Sequence, residues 1–226
     1  MEIQSMSGMQ PWAAPGIAAG YHLADANDFS GNSKTLTNNG SVAFGLGKFG
    51  DCAQFGSSNN SKYLSRADGL GVDLSGDHGI SVWVKLAANP ASTKRCRIVE
   101  WRSNTGSGRL HTLDYYNNSG TYQWSWCPNT QYAFTFDGSL TLNRWTKIDI
   151  SVSGGYAYLY IDGVLIRTEA RGTYSQAANK VVIGAEMDAV AGFFWFGDMD
   201  EYLFYSVHRS SQEIRRRYAF QRGMMV

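Results

Sequence analysis

The chain has 226 residues, 43% hydrophobic and 17% charged, enough for one large β domain and too apolar for a disordered segment. Its formal net charge of +1 leaves no global field to draw it to nucleic acid or an anionic membrane. Cys52, Cys96 and Cys127 are odd in number and widely spaced, which excludes a disulfide framework and a CxxC metal site and leaves them as thiols.

Residues 1–19 carry Met1, Met6, Met9, Trp12 and several alanines, with Glu2 as the one charge. They hold no Lys or Arg and no unbroken apolar run, so they read as neither a signal peptide nor a membrane span, and the expected place of synthesis is a cytoplasm. Two readings stand for this arm: a floppy leader, or a segment that docks on a neighbouring chain, with Trp12 as its contact. Residues 20–226 are expected to form a single domain.

From Gly20 the chain predicts a short strand, a polar loop of Asp, Asn, Ser and Gly, and a strand around Ser41–Phe44. Further strands follow near Phe55 and at Lys62–Ser65. Ile80–Leu86 alternates Ile80, Val82, Val84 and Leu86 against Ser81, Trp83 and Lys85, the pattern of a half-buried antiparallel strand. Between Arg95 and Phe136 four more strands are expected, with turns at 104–108, 117–120 and 128–129. Tyr122, Trp124 and Trp126 share one face of theirs, either as core or as an exposed platform. Trp145–Ser153 and Tyr156–Tyr160 flank Gly154-Gly155, and Asp162-Gly163 offers a second tight turn, so a β-meander is predicted here. Strands at Phe193–Phe196 and Tyr202–Tyr205 are expected to flank an acidic loop at 197–201. Ser210 and Glu213 form a capping box that opens a short helix, with Ile214 and Tyr218 on its packing face and Gly223 as its stop.

These pieces, in order, resemble the laminin-G-like jelly roll of the concanavalin A-like lectin/glucanase superfamily. The resemblance is carried by YHLADANDFSGNSKTLTNNGSVAF, GKFGDCAQF, ISVWVKL, the Tyr160-Ile-Asp-Gly hairpin, VVIGAE and FGDMDEYLFYSVHRSSQEIRRRY. It implies an all-β fold, a two-sheet antiparallel jelly-roll β-sandwich with a short C-terminal helix. It also implies a calcium site built from loop acids, for which Asp25, Asp28 and Asn32, or Asp198 and Asp200, are the matching positions.

Glucanases of this group place a nucleophile and an acid/base in a Glu-x-Asp-x-x-Glu spacing, because retention needs two carboxylates close together. Glu186-Met-Asp188 begins that pattern, but Ala191 stands where the second Glu is needed, and Glu100 has no carboxylate near it on its strand. His22, His78, His111 and His208 are dispersed, and no nucleophile elbow or phosphate-cradling glycine loop occurs. A sugar site needs aromatics that stack on a pyranose beside groups that read hydroxyls. Trp101, Tyr115, Tyr116, Trp124, Trp126 and Tyr132 are the candidates, with Asn104, Asn117, Asn118 and Asn129 as polar partners.

The sequence therefore points to a non-enzymatic, surface-displayed structural or binding module, first as a phage virion accessory protein of head or tail that also adsorbs to glycans. A free-standing lectin is the alternative, and a glycoside hydrolase a remote one. Expected partners are capsid or tail proteins, glycans, and a second copy of the chain, gripped through Trp12 and the helix cations Arg215, Arg216 and Arg222.

Overall fold

In the computed structural model, residues 15–56, 61–102, 109–129, 132–171, 180–186 and 193–223 are described. The first strands are β1 (Ile17–Tyr21), β2 (Thr37–Asn39), β3 (Ala43–Leu46), β4 (Asp51–Gly56) and β5 (Tyr63–Arg66). The middle of the chain gives β6 (His78–Leu86), β7 (Arg95–Arg102), β8 (Arg109–Asn118), β9 (Thr121–Asn129) and β10 (Tyr132–Asp137). The last part gives β11 (Trp145–Ser153), β12 (Tyr156–Ile161), β13 (Val164–Ala170), β14 (Lys180–Ile183), β15 (Gly197–Tyr205) and the helix α1 (Ser211–Gly223).

The strands pair into two antiparallel sheets. Sheet A runs β13-β12-β11-β6-β15-β4-β3, with β1 added along β15, and sheet B runs β10-β9-β8-β7-β14-β5-β2. Their inner faces close over one core. Ile80, Val82 and Val84 of β6 and Ile148, Ile150 and Val152 of β11 pack there with Ile98, Val99 and Trp101 of β7 and Leu113 and Tyr115 of β8. Burial of this kind contributes about 25 cal/mol per Å² of apolar surface and is the main force holding the sheets together.

The meander forms as its glycines require. Gly154 and Gly155 turn with φ of 57° and 80°, and β11 pairs β12 from Ile148↔Ile161 to Ser153↔Tyr156. The core side of β12 is Ala157 and Leu159, while Tyr160 points the other way and bonds Ser211 Oγ of α1 at 2.7 Å. The capping box also forms: Glu213 N donates to Ser210 Oγ at 3.3 Å, and Ser210 N donates to Glu213 Oε2 at 2.8 Å.

Four expectations change. β6 is buried on both faces, because α1 lies on the outer side of sheet A, stacking Tyr218 on Trp83 with centroids 5.9 Å apart. Residues 193–196 are not a strand, and the acidic segment is itself the first half of β15. Its carboxylates find partners on neighbouring elements, which removes the need for a solvated loop: Asp198 meets Lys85 Nζ at 2.6 Å, and Asp200 accepts from Lys48 N at 2.8 Å. The arm is shorter than residues 1–19, since residues 17–19 belong to β1 and Ala19 is fully buried. Residues 1–14, with Trp12, lie outside the described residues.

Candidate functional site

Of the two readings for the aromatic face, core or platform, the structure gives the core, and most of the sugar-site candidates lie inside the sandwich. Trp101, Tyr115, Trp124 and Trp126 are 2%, 0%, 1% and 6% exposed, so their ring faces meet other core side chains and cannot stack on a sugar. Trp124 shows the geometry, meeting Tyr115 edge to face at 5.3 Å. Tyr132 lies on β10, and its side chain is outside the described residues, as is Asn104. Asn117 is buried as a turn clamp, donating from Nδ2 to Pro90 O at 2.9 Å and accepting from Gly120 N at 2.8 Å. Of the six aromatics, Tyr116 alone is seen half-buried on the outer face of sheet B.

That outer face carries ordered polar rows. The registers place Arg95, Tyr116, Gln123 and Asp137 opposite one another across β7, β8, β9 and β10. The next row is Arg97, Asp114, Ser125 and Thr135. Side chains in one row stand on the same side of the sheet, which makes each row a strip of adjacent functional groups. Arg95 lies over Tyr116, with Cζ 4.4 Å from the ring centroid, and its Nη1 donates to Ser125 Oγ at 3.0 Å. Gln123 Nε2 donates to Asp137 Oδ1 at 2.9 Å.

The second row belongs to a buried, ion-paired cluster. Arg97, 1% exposed, grips Asp114 through Nε at 2.6 Å and Nη2 at 3.2 Å, and its Nη1 bonds Glu100 and lies 3.5 Å from Glu186. Arg102 Nε holds the other Glu100 oxygen at 3.1 Å. Residues 97 and 100 would fall on opposite faces of a regular strand, but a bulge between Arg97 and Val99 turns both outward. Phe193 covers this cluster, with Arg97 Cζ 5.6 Å from its ring centroid. Burial pushes the Glu100 carboxyl above its usual value, against the pull of Arg97. Glu100 is fully buried and out of reach of a ligand on the surface.

The acids matched to calcium do not fit that ion among the described residues. Asp28 accepts from Gly20 N, Ser30 N and Lys34 N, each at 2.9 Å, and from Ser30 Oγ. Asp25 holds Asn27 N at 2.8 Å, while Asn32 turns its amide donors to Ile17 O and Ala18 O. Asp200 receives Lys48 N and Phe49 N, and Asp198 is paired to Lys85. N–H groups occupy the lone pairs that a cation would need. No three His, Cys, Asp or Glu side chains converge at ligating geometry among the described residues. Arg215, Arg216 and Arg222 are exposed on α1.

Sequence reasoning missed Arg95, Gln123 and Asp137. Each is an ordinary strand residue, and only the registers of four strands put them in one row.

A family model described as the concanavalin A-like lectin/glucanases superfamily matches residues 57–215. Domain 4 of AbnA, a GH43 extracellular arabinanase from Geobacillus stearothermophilus in complex with arabinotriose, is similar at a TM-score of 0.69 and 19% identity. That match covers 90% of this chain and 98% of the domain. The botulinum neurotoxin type G receptor-binding domain is similar at 0.68 and 15% identity, covering 91% of this chain and 51% of that one. The binding domain of botulinum neurotoxin DC in complex with SialylT follows at 0.66 and 14%, with 86% and 48% covered. The chain thus spans nearly all of the arabinanase domain and about half of each toxin domain. At these identities the likeness is one of fold. Among curated proteins none matches the chain.

Proposed function

The chain belongs to the concanavalin A-like lectin/glucanase superfamily, and we propose that it acts as a glycan-binding module through the outer face of sheet B. The observation that carries this reading is the row Arg95, Tyr116, Gln123 and Asp137, which sets a stacked planar cation beside an amide and a carboxylate. Such a strip offers donors and acceptors at strand spacing, roughly 4.8 Å, the kind of placed polar groups that read sugar hydroxyls. That similar folds were solved with arabinotriose and with SialylT supports a sugar as the ligand class.

The reading is of binding without turnover. A glycosidase acid must touch the leaving oxygen, and Glu100 and Asp114 are buried and spent on arginines. Purified protein on an array of immobilised glycans tests the reading: saturable binding to one sugar class is expected, reduced roughly tenfold by Tyr116→Ala or Gln123→Ala. Silence across all sugar classes, or release of shortened sugars from a bound oligosaccharide, overturns it.

A second reading makes the chain a decoration or building block of a larger particle, such as a phage head or tail. Exposed Val164, Leu165 and Ile166 on the edge strand β13, and the outward Arg215, Arg216 and Arg222, support it as surfaces for neighbouring subunits.

A further inference from the structure

We infer that the glycan taken by this face is an acidic one, a sugar bearing a carboxylate, and that Arg95 is the group that reads the carboxylate. The inference rests on the glycan-binding reading above and narrows it to a ligand class.

The difference between the two central arginines carries the argument. Arg97 is 1% exposed and has turned its donors to Asp114, Glu100 and Glu186. It is a structural ion. Arg95 is 30% exposed, and its polar contacts all run through Nη1: to Ser125 Oγ at 3.0 Å and Asp114 Oδ2 at 3.4 Å. Its Nε and Nη2 make no hydrogen bond among the described residues. One edge of the guanidinium is therefore pinned, the plane rests on Tyr116, and the other edge keeps two parallel N–H groups. That edge is the fork which matches a carboxylate with two charge-assisted bonds. Because stacking and the Nη1 anchor already fix the side chain, little further rotamer freedom is lost when an anion arrives.

The surrounding charges favour the same ligand. Asp114 is the carboxylate nearest to Arg95, and it is 1% exposed and already forked by Arg97. An approaching anion meets the Arg95 edge before it meets Asp114. Asp137 stands in the same row but three strands away, roughly 14 Å at ordinary strand spacing, and it accepts from Gln123. It is better placed for a hydroxyl of a sugar ring further along an oligosaccharide. A neutral sugar would also bond the Arg95 edge, but without the opposite charge on the acceptor and without the paired oxygens that fit both N–H groups at once.

The test uses pairs of ligands that differ only in the acid. The full chain is titrated calorimetrically with a sialylated oligosaccharide and its desialylated parent, and with a galacturonate oligomer and the matching galactose oligomer, at low and high salt. The acidic member of at least one pair is expected to bind at least about tenfold more tightly, with a preference that shrinks in salt. Arg95→Gln erases the preference. Arg95→Lys, which keeps the charge and loses the fork, recovers only part of it. Ser125→Ala, which frees the pinned edge and keeps the charge, weakens it. Thermal melts of each variant record whether the fold is intact. Equal binding of acid and neutral members overturns the inference and leaves the glycan reading standing, as does an acid preference that survives Arg95→Gln. Failure of all four ligands to bind overturns the inference, and silence of the same protein across the whole glycan array overturns both.

Discussion

His78 of β6 and His111 of β8 meet across the interior of the sandwich, ring centroids 4.9 Å apart, with Trp126 beside His111 at 5.8 Å. Each is 2% exposed. His78 Nδ1 lies 2.9 Å from Gly76 O, which suits a neutral ring donating its proton. Arg171, bonded to Leu74 O and Ser75 O, adds a positive charge, while Asp73 and Asp77, on the exposed turn before β6, pull weakly the other way. Desolvation is the main cause that lowers His78 to about 4 and drives His111 well below its ordinary value. Both folded values lie under the unfolded one, so the stabilisation is complete above about pH 6.5 and is lost as pH falls towards 4. For His78 the loss amounts to about 3 kcal/mol. Urea unfolding of the wild type and His78→Gln at pH 7 and pH 4 checks this. The wild type should lose more by that amount, and parallel losses would refute a buried neutral imidazole. At this scale the sequence showed that Tyr122, Trp124 and Trp126 share a face, because alternation is local. It could not show which face is inside. The pairing Leu113↔Trp126 and Tyr115↔Trp124 decides that, by setting those side chains beside core residues from another strand. The bulge that brings Glu100 to Arg97 is likewise a product of pairing, so the ion cluster was hidden.

The helix is held by specific polar contacts as well as by apolar burial. Among its residues only Ile214 and Gln221 are buried, and an isolated helix of this length would be marginal in water. Gln221 Oε1 accepts the indole proton of Trp83 at 3.1 Å, Ser211 meets Tyr160, and Arg217 Nη1 bonds the Tyr205 hydroxyl. Under this cover lies Lys147, fully buried, its Nζ donating to Ser81 Oγ at 2.7 Å and its ammonium lowered by desolvation to about 8. Gln221→Ala strips the partner from a buried indole, so it should cost about 1–3 kcal/mol, whereas Arg216→Ala, at an exposed site, should stay within about 0.5 kcal/mol. Chemical denaturation of both variants measures the difference, and equal effects would mean that α1 is not docked as described. The helix itself was legible because its cap is written within four residues, and so was the meander, whose turns are spelled by glycines. What the helix covers was not legible. Ser81, Trp83 and Lys85 look like a solvated face until a distant segment is laid over them, and the Asp-rich start of β15 looks like a loop until Lys85 and the Lys48 amide are placed against it.

At the scale of the whole molecule, the first described strand is tied to the last. β1 runs antiparallel to the second half of β15, from Ile17↔Tyr205 to Tyr21↔Tyr202, filling the side of β15 left beyond β4. The tie continues past the strands: Ser206 N donates to Gly16 O at 2.8 Å, and Arg209 Nη1 donates to Pro15 O at 3.3 Å. Asn32 closes it from the early loop by donating to both Ile17 O and Ala18 O. The segment therefore brings the first described strand onto the last one, and sits where β15 hands over to α1. Two truncations that differ only in residues 16–19 isolate its worth. A chain starting at Gly16 keeps β1, and a chain starting at Gly20 loses the buried Ala19, the half-buried Ile17 and Ala18, and their ladder bonds. Apolar burial and a few hydrogen bonds, less the entropy of ordering four residues, leave a net loss of about 2 kcal/mol for the shorter chain. Lost pairing along β15 also bares a strand edge ahead of α1, so the shorter chain should associate more readily at equal concentration. Denaturant midpoints and light scattering read the two effects. If both truncations unfold at the same midpoint, β1 contributes nothing to the sandwich and the arm extends as far as residue 19 after all.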